Sequence, residues 1–283
     1  MFFNKKKNLI LIYTMGKVAS VSIEKTLENY IDQKKIALYR VHQLTQDDFD
    51  YHKKYILKSG ITESEKQFSL NFINEYKAID EIINSKNINL KIISGFRDPV
   101  EISIAGLFQN ISVIFPSYSL LSAENACHTM IKIFNSMLTT YQSNISGNRL
   151  ISRYGGIFDI GALFFDQQIK KKFNMDVYRS DIDSSQDYHI FESNNISLFV
   201  YKFESLKKIS NPLYVFLDPL IKSKFTIGNE NVGSSKDYSK IYDLFKKKLK
   251  LNNQNLDYFY DNKHVKKFYT NKEIKSFYAK WSN

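Results

Sequence analysis

The sequence contains one cysteine, four prolines, ten glycines and one tryptophan in 283 residues. The lone Cys127 excludes an intramolecular disulfide framework and any zinc site built on several cysteines. Few prolines and glycines mean few turn signals, which argues for long elements and against a sandwich or barrel of many short strands. No apolar run reaches the ~20 residues needed to span a bilayer. The N-terminal stretch MFFNKKKNLILIYTMGK is basic, then continuously apolar only from Leu9 to Tyr13. That is too short for a secretory core and lacks a small-residue cleavage site, so it reads as a first strand and the expected location is cytoplasmic.

What is present is ordinary in amount and biased in sign. Hydrophobic residues make up 43% and charged residues 24%, the balance of a chain that buries a core. Lysine and arginine outnumber aspartate and glutamate 40 to 29, a formal net charge of +11. Such an excess points to an anionic partner: nucleic acid, a phosphorylated co-substrate, an acidic glycan or a membrane surface. With no zinc finger, RNP-type motif or basic-region heptad, nucleic acid is not expected.

Along the chain, apolar runs alternate with helical patterns. Leu9–Tyr13 reads as a strand buried on both faces, residues 21–31 as a helix, 36–41 as a second strand ending at His42, and 43–87 as a polar helical insertion. A third strand covers 90–96. Asp98 and Pro99 suit the N-cap and first turn of a helix running to about residue 108. Helices are expected over 123–140 and 160–173, a Gly-rich bend at 154–156, a fourth strand over 197–203 and a lysine-rich helical tail over 238–283. This pattern predicts a single α/β domain, 1–283, with a mostly parallel sheet flanked by helices.

Two strand ends carry chemistry. In LILIYTMGKVASVSIEKTL a buried strand feeds a Gly-Lys loop and then a helix start, bringing backbone N–H groups and the positive helix end to one point. Gly16, Lys17, Val18, Ala19, Ser20, Val21 and Ser22 form a candidate cradle for a phosphate or sulfate group. The lysine directly follows the first glycine, so the Walker A pattern is broken and no ATP–Mg²⁺ site is expected. In ISGFRDPVEISIAGLFQN, Arg97 ends another strand, where α/β folds bind ligands, and its planar fork suits phosphate. The plain alternatives are a simple β–α turn with an exposed lysine, and an arginine paired with Asp98 or a helix end.

Taken together, the two units resemble the sulfotransferases that use 3′-phosphoadenosine-5′-phosphosulfate (PAPS). More closely, YTMGKVASVSI, FRDPVEISIAGLFQN, FFDQQIKKKFNMDVY and NVGSSKDYSKIYDLFK with FYTNKEIKSFYAKW resemble the bacterial capsular polysaccharide synthesis family. The resemblance implies a P-loop-like sulfotransferase fold, PAPS as co-substrate without a metal, a 5′-phosphosulfate site in the Lys17 loop and a 3′-phosphate site at Arg97. It also implies a carbohydrate acceptor, with His42 as the base that takes the acceptor proton and Lys17 as the cation on the leaving oxygen.

The chain departs from that pattern in places. Ile102 and Ala105 stand where an arginine and a serine commonly add to the 3′-phosphate site. Ser103 lies about 200° around the helix from Ala105 and faces elsewhere. Ala19 and Val21 replace a glycine and a threonine of the loop. Lys236 is the candidate compensating cation, and Glu204, after the fourth strand, is the alternative base. His52, His128, His189 and His264 show no metal spacing and suit surface or packing roles. Asp181, Asp183 and Asp187 suit a solvated loop. The lysine runs at 5–7, 170–172 and 246–248 suit solvated faces or contact with anionic lipid headgroups. Phe164, Phe165 and residues 258–260 suit core packing before sugar stacking. The competing function is a diverged, non-catalytic module that binds an anionic glycan or nucleotide.

Overall fold

A computed structural model describes residues 8–85, 88–143, 155–228 and 236–282. The lysine run at 5–7 and Tyr154 of the expected bend lie outside them. The chain forms two compact units. One takes the residues up to Phe96 with Phe164–Ser180 and Asp187–Gly228, and the other takes Arg97–Leu163, Asp181–Gln186 and the C-terminal helices. No helix among the described residues is long and apolar enough to cross a membrane.

The first unit is built on a five-stranded sheet ordered β2-β1-β3-β5-β4. Its strands are β1 (Asn8–Tyr13), β2 (Ile36–Val41), β3 (Asn89–Phe96), β4 (Tyr188–Ser193) and β5 (Ile196–Lys202). The four strands expected from apolar runs are β1, β2, β3 and β5, and they pair in parallel. β4 was not expected: its alternating burial hides a strand that lies antiparallel at the edge. Leu9 to Tyr13 of β1 are fully buried, as a central parallel strand requires.

Helices α1 (Ser20–Glu28), α2 (Gln46–Tyr55) and α3 (Glu63–Ile83) also belong to this unit. The insertion at 43–87 is α2 and α3, each opened by a capping box, at Thr45/Asp48 and Thr62/Glu65. Ile23 and Leu27 of α1, together with Leu213, Phe216 and Leu217 of a later helix, Ser210–Leu217, form one core with Ile10, Ile12, Ile93, Phe199 and Tyr201 of the sheet. Segment 160–173 is not a continuous α-helix: a π-helical stretch, Phe165–Lys170, interrupts it.

The second unit holds α4 (Pro99–Gln109), α5 (Ala123–Gln142) and, after Ser210–Leu217 (α6), four helices of the tail: α7 (Ser239–Lys248), α8 (Asn253–Tyr260), α9 (Lys263–Phe268) and α10 (Asn271–Trp281). As the sequence predicts, Asp98 caps α4 by accepting from the Val100 N–H, with Pro99 in the first turn. Phe108 of α4, Phe134 of α5 and Phe245 of α7 pack edge to face. Burial pushes the pKa of His264, at the start of α9, down to about 3.

Two predictions follow from this packing. A methyl added at Gly95 would stand 2.5 Å from the Tyr201 ring, so Gly95→Ala should cost ~1–3 kcal/mol in denaturant unfolding. For His264, the unfolded ring titrates near 6.5 and the folded one about 3. As pH falls below 6.5 the unfolded chain gains a proton the folded chain refuses, so stability drops by up to ~1.4 kcal/mol per pH unit. Urea unfolding at pH 7 and pH 5 should show a loss ~2 kcal/mol larger than in His264→Phe. Equal losses would assign the acid sensitivity to other groups.

Candidate functional site

Parallel register sets the geometry of the first strand end. Tyr13 of β1 lies opposite Val41 of β2, so Thr14 and His42 each follow by one residue at the same sheet edge. The Thr14 N–H donates to the Val41 carbonyl at 3.2 Å. His42 Nδ1 lies 2.7 Å from the Thr14 carbonyl oxygen, which only accepts, so Nδ1 carries the proton. In the neutral ring Nε2 then keeps its lone pair, and it lies 3.4 Å from Arg40 Nη1.

The loop that follows Thr14 is backbone-strained. Gly16, Lys17 and Ala19 all have positive φ, at 85°, 59° and 63°. Only Gly16 adopts this cheaply; Lys17 and Ala19 each pay about 1–2 kcal/mol. Gly16 and Lys17 are left-handed in succession and Val18 alone separates them from Ala19; left-handed residues beside ordinary ones are the backbone pattern of anion-binding nests. Ala19 also supplies no side-chain cap to α1, and the first turn of α1 has no acidic residue. The capping boxes of α2, α3 and α10 show what this chain does elsewhere. Lys17, Ala19 and Val21 are half-buried, while Val18, Ser20 and Ser22 are buried.

The fold fixes the loop from beneath. Tyr201 of β5, fully buried, donates its hydroxyl to the Val18 carbonyl, and its ring passes directly over Gly95. Burial raises its pKa far above the usual phenol range, so it stays a donor. Tyr13 donates to the Gln168 side-chain oxygen on the π-helical stretch, and that oxygen also accepts from the Leu44 N–H at 3.2 Å. A π-turn inside a helix is a frequent mark of functional segments.

His42 keeps an exposed edge, yet its pKa is lowered. Desolvation is the main cause, and the Arg40 and Lys17 cations push the same way; the bond to Thr14 and the Glu24 carboxylate oppose it. Glu24 of α1 holds Arg40 at 2.5 Å, so a carboxylate, a guanidinium and an imidazole lie in line beside the loop. The structure thus places the Lys17 cation close enough to His42 to bear on its pKa. Sequence spacing does not single out Arg40, Glu24, Gln168 or Tyr201. The apolar runs of β2 and β5 concealed Arg40 and Tyr201, and no short motif marks the others.

Arg97, in the second unit, is one residue past β3. Its Nη2 lies 3.0 Å from Glu101 in the first turn of α4, a helix-end pairing as in the plain alternative, and the buried Glu101 also receives Lys246 at 2.9 Å and Lys280 at 2.6 Å. Lys236 is exposed and follows none of these contacts. Ile102 is buried, and Ser103 is spent on the carbonyls of Pro99 and Ile157 at 2.9 and 3.1 Å.

The remaining candidates take structural places. His52 bonds Ser69 at 3.1 Å and packs on Phe72, whereas His128 is exposed. Asp183 closes a local turn with Ser185 and Gln186, Asp187 accepts from Ser205, and Glu204 is exposed. The second lysine run is less free than a solvated face: Lys170, Lys171 and Lys172 pair with Asp176, Asp47 and Asp80. Phe164 and Phe165 are core residues.

Residues 129–270 match the model of the NKWYS family, described as "Putative capsular polysaccharide synthesis protein". The chain belongs to the NKWYS family. The matched region holds β4, β5 with Tyr201, the π-helical stretch and Lys246; the Lys17 loop, His42 and Arg97 lie before it. No curated protein and no solved structure matches the chain.

The electrostatics of this NKWYS-family site can be checked directly. By NMR, the His42 ring should titrate below its ordinary 6.5, leaving it neutral at pH 7 and protonated only as the pH falls further. Arg40→Gln removes a cation beside Nε2 and should move the midpoint upward. An unmoved midpoint would take Arg40 out of the account.

Proposed function

We propose that this protein is a sulfotransferase that moves a sulfuryl group from PAPS to a hydroxyl of a capsular or other surface polysaccharide, or of its precursor. Family membership supports a role in capsular polysaccharide synthesis and a carbohydrate substrate. The observation that carries the reaction is the strained loop: left-handed Gly16, Lys17 and Ala19 at an uncapped helix start, with a neutral-prone imidazole beside it. Strain of this kind persists where it serves a site. The cradle fits a tetrahedral anion, and the polar N–H groups of residues 17–22, with the Lys17 ammonium, are the groups that would hold a phosphosulfate.

When bound, PAPS supplies an activated sulfuryl group. His42 Nε2 accepts the proton of the acceptor hydroxyl as the new O–S bond forms. Lys17 neutralises the charge left on the phosphate oxygen as the old S–O bond breaks, the electrostatic task expected in a loose transition state. Thr14 fixes the tautomer that this requires. Arg97 is the residue for the 3′-phosphate in this reading, and Lys236 a further cation for it. The second reading, a binding module without catalysis, draws its support from Arg97, which is already engaged by Glu101.

Thermal shift and calorimetry test the donor assignment. 3′-Phosphoadenosine-5′-phosphate should bind more tightly than AMP by the worth of a charge-assisted contact, about 1.5–3 kcal/mol. Sulfuryl transfer to a capsule-type glycan should fall about 10²–10⁴-fold in His42→Ala with nucleotide affinity unchanged. Lys17→Ala should lower both turnover and nucleotide affinity, because its ammonium meets the anion in ground and transition states. Equal binding of the two nucleotides, or full activity of His42→Ala, would remove the corresponding role.

A further inference from the structure

The first unit holds a cleft that the loop chemistry leaves unused. It measures about 570 Å³ and is lined by Gln46 and Asp47 of α2, Tyr76 and Asp80 of α3, and Lys171 and Lys172 just past the π-helical stretch. That volume lies in the ordinary range for a small-ligand pocket. Thr45, which also lines it, is three residues past His42, so the cleft begins within about 11 Å of the His42 backbone. The π-helical stretch is tied to the same segment, because Gln168 accepts from the Leu44 N–H at 3.2 Å and from Tyr13.

Two ion pairs join its walls, Lys171 with Asp47 at 2.7 Å and Lys172 with Asp80 at 2.6 Å. They differ in freedom. Asp47 and Lys171 are 75% and 54% exposed, so theirs is a rim contact that ligand hydroxyls can replace at small cost. Lys172 and Asp80 are 12% and 35% exposed, and Lys172 also lies over the Tyr76 ring at 4.9 Å. Tyr76 in turn donates to Gln46 Oε1 at 3.3 Å. Asp80 accepts from Lys172 on Oδ1 and from Asn84 on Oδ2, which leaves each oxygen a second lone pair. The two lysines and two aspartates balance, in a chain whose net charge is +11. A phosphate or sulfate gains little here, because each ammonium already faces a carboxylate. A sugar hydroxyl both donates and accepts, so neighbouring hydroxyls can answer an ammonium and a carboxylate together.

We propose that this cleft binds an uncharged sugar ring, a hexose or N-acetylhexosamine, whose vicinal hydroxyls meet Lys172, Asp80 and Gln46 while the Asp47–Lys171 pair parts at the rim. In the proposed function this ring belongs to the acceptor glycan and is seated so that a neighbouring residue reaches His42. That placement rests on the proposed function; the ligand class of the cleft does not.

Saturation-transfer NMR and calorimetry on the full chain test this. The uncharged probes are the methyl glycosides of glucose, galactose and N-acetylglucosamine, and the charged ones are the matching methyl uronides and methyl glycosides of the amino sugars. At least one uncharged glycoside should bind, and more tightly than its charged counterparts. Asp80→Asn and Lys172→Gln should each weaken it about tenfold, the effect of one charge-assisted contact. They should also move selectivity in opposite directions: Asp80→Asn leaves a surplus ammonium and favours the uronide, whereas Lys172→Gln leaves a surplus carboxylate and favours the amino sugar. A purely structural ion pair would not exchange these preferences. Circular dichroism and urea unfolding confirm that each variant is folded. Gln46→Ala, at an exposed position, should weaken the uncharged probe severalfold and carries the test if neither charge variant folds. No binding of any uncharged glycoside, a wild-type preference for the uronide, or unchanged affinity and selectivity in the variants overturns the site. In that event, nucleotide binding that depends on Lys17 leaves the proposed function standing. Glycoside binding that depends on Asp80 and Lys172, without nucleotide binding, supports the cleft and removes the donor instead.

Discussion

The first unit depends on holding a stretch of backbone where it would not otherwise stay. Lys17 and Ala19 are left-handed without being glycine, a cost of about 1–2 kcal/mol each. The offset comes from the sheet. Tyr201 reaches under the loop to the Val18 carbonyl, and it can do so only because Gly95 on the neighbouring strand has no side chain in its path. On the other side, His42 is tied to Thr14 by the register of β1 against β2. The strand order β2-β1-β3-β5 therefore shapes the candidate site: it puts His42 on one side of the loop strand and the supporting tyrosine two strands away on the other.

In the proposed function the Lys17 loop would hold its anion through backbone N–H groups and the start of α1, with one lysine added, so the charge is small and directional. A backbone nest suits an anion whose position relative to a reacting atom matters, since it has few rotamers to lose. Around Glu101 the charges sit on side chains alone, and their direction comes from the rings and the buried carboxylate that fix them.

Legibility from sequence followed the range of the interactions. The strands β1, β2, β3 and β5, the Asp98–Pro99 start of α4, and the place of His42 beside the Gly16–Lys17 loop are readable because each rests on a local pattern or on a strand end. Edge strand β4 was not, because alternating exposure without turn signals looks like a loop. The π-helical stretch was not, because an extra residue per turn leaves the apolar spacing almost unchanged. Arg40 sits in a strand among apolar neighbours, and Tyr201 is spaced like a core ring, its hydroxyl bond to Val18 being set only in three dimensions. In each case the deciding partner lies on a different element, and sequence spacing carries no trace of it.

The same reasoning bears on the arginine-containing strand end, where a motif and its surroundings point different ways. The motif offers Arg97, and on α4 it is followed by the apolar Ile102 and the small Ala105. Along the helix alone no further cation joins it. Judged in space, Glu101 on that same helix gathers Lys246 and Lys280 from two tail helices, and Asp98, bound by Tyr260 and Trp281, ties the start of α4 to both of the helices that carry those aromatics. A carboxylate in that position makes little sense if Arg97 stands alone, because a single buried ion pair rarely repays its desolvation. It makes sense if its task is to keep several cations close together against their mutual repulsion.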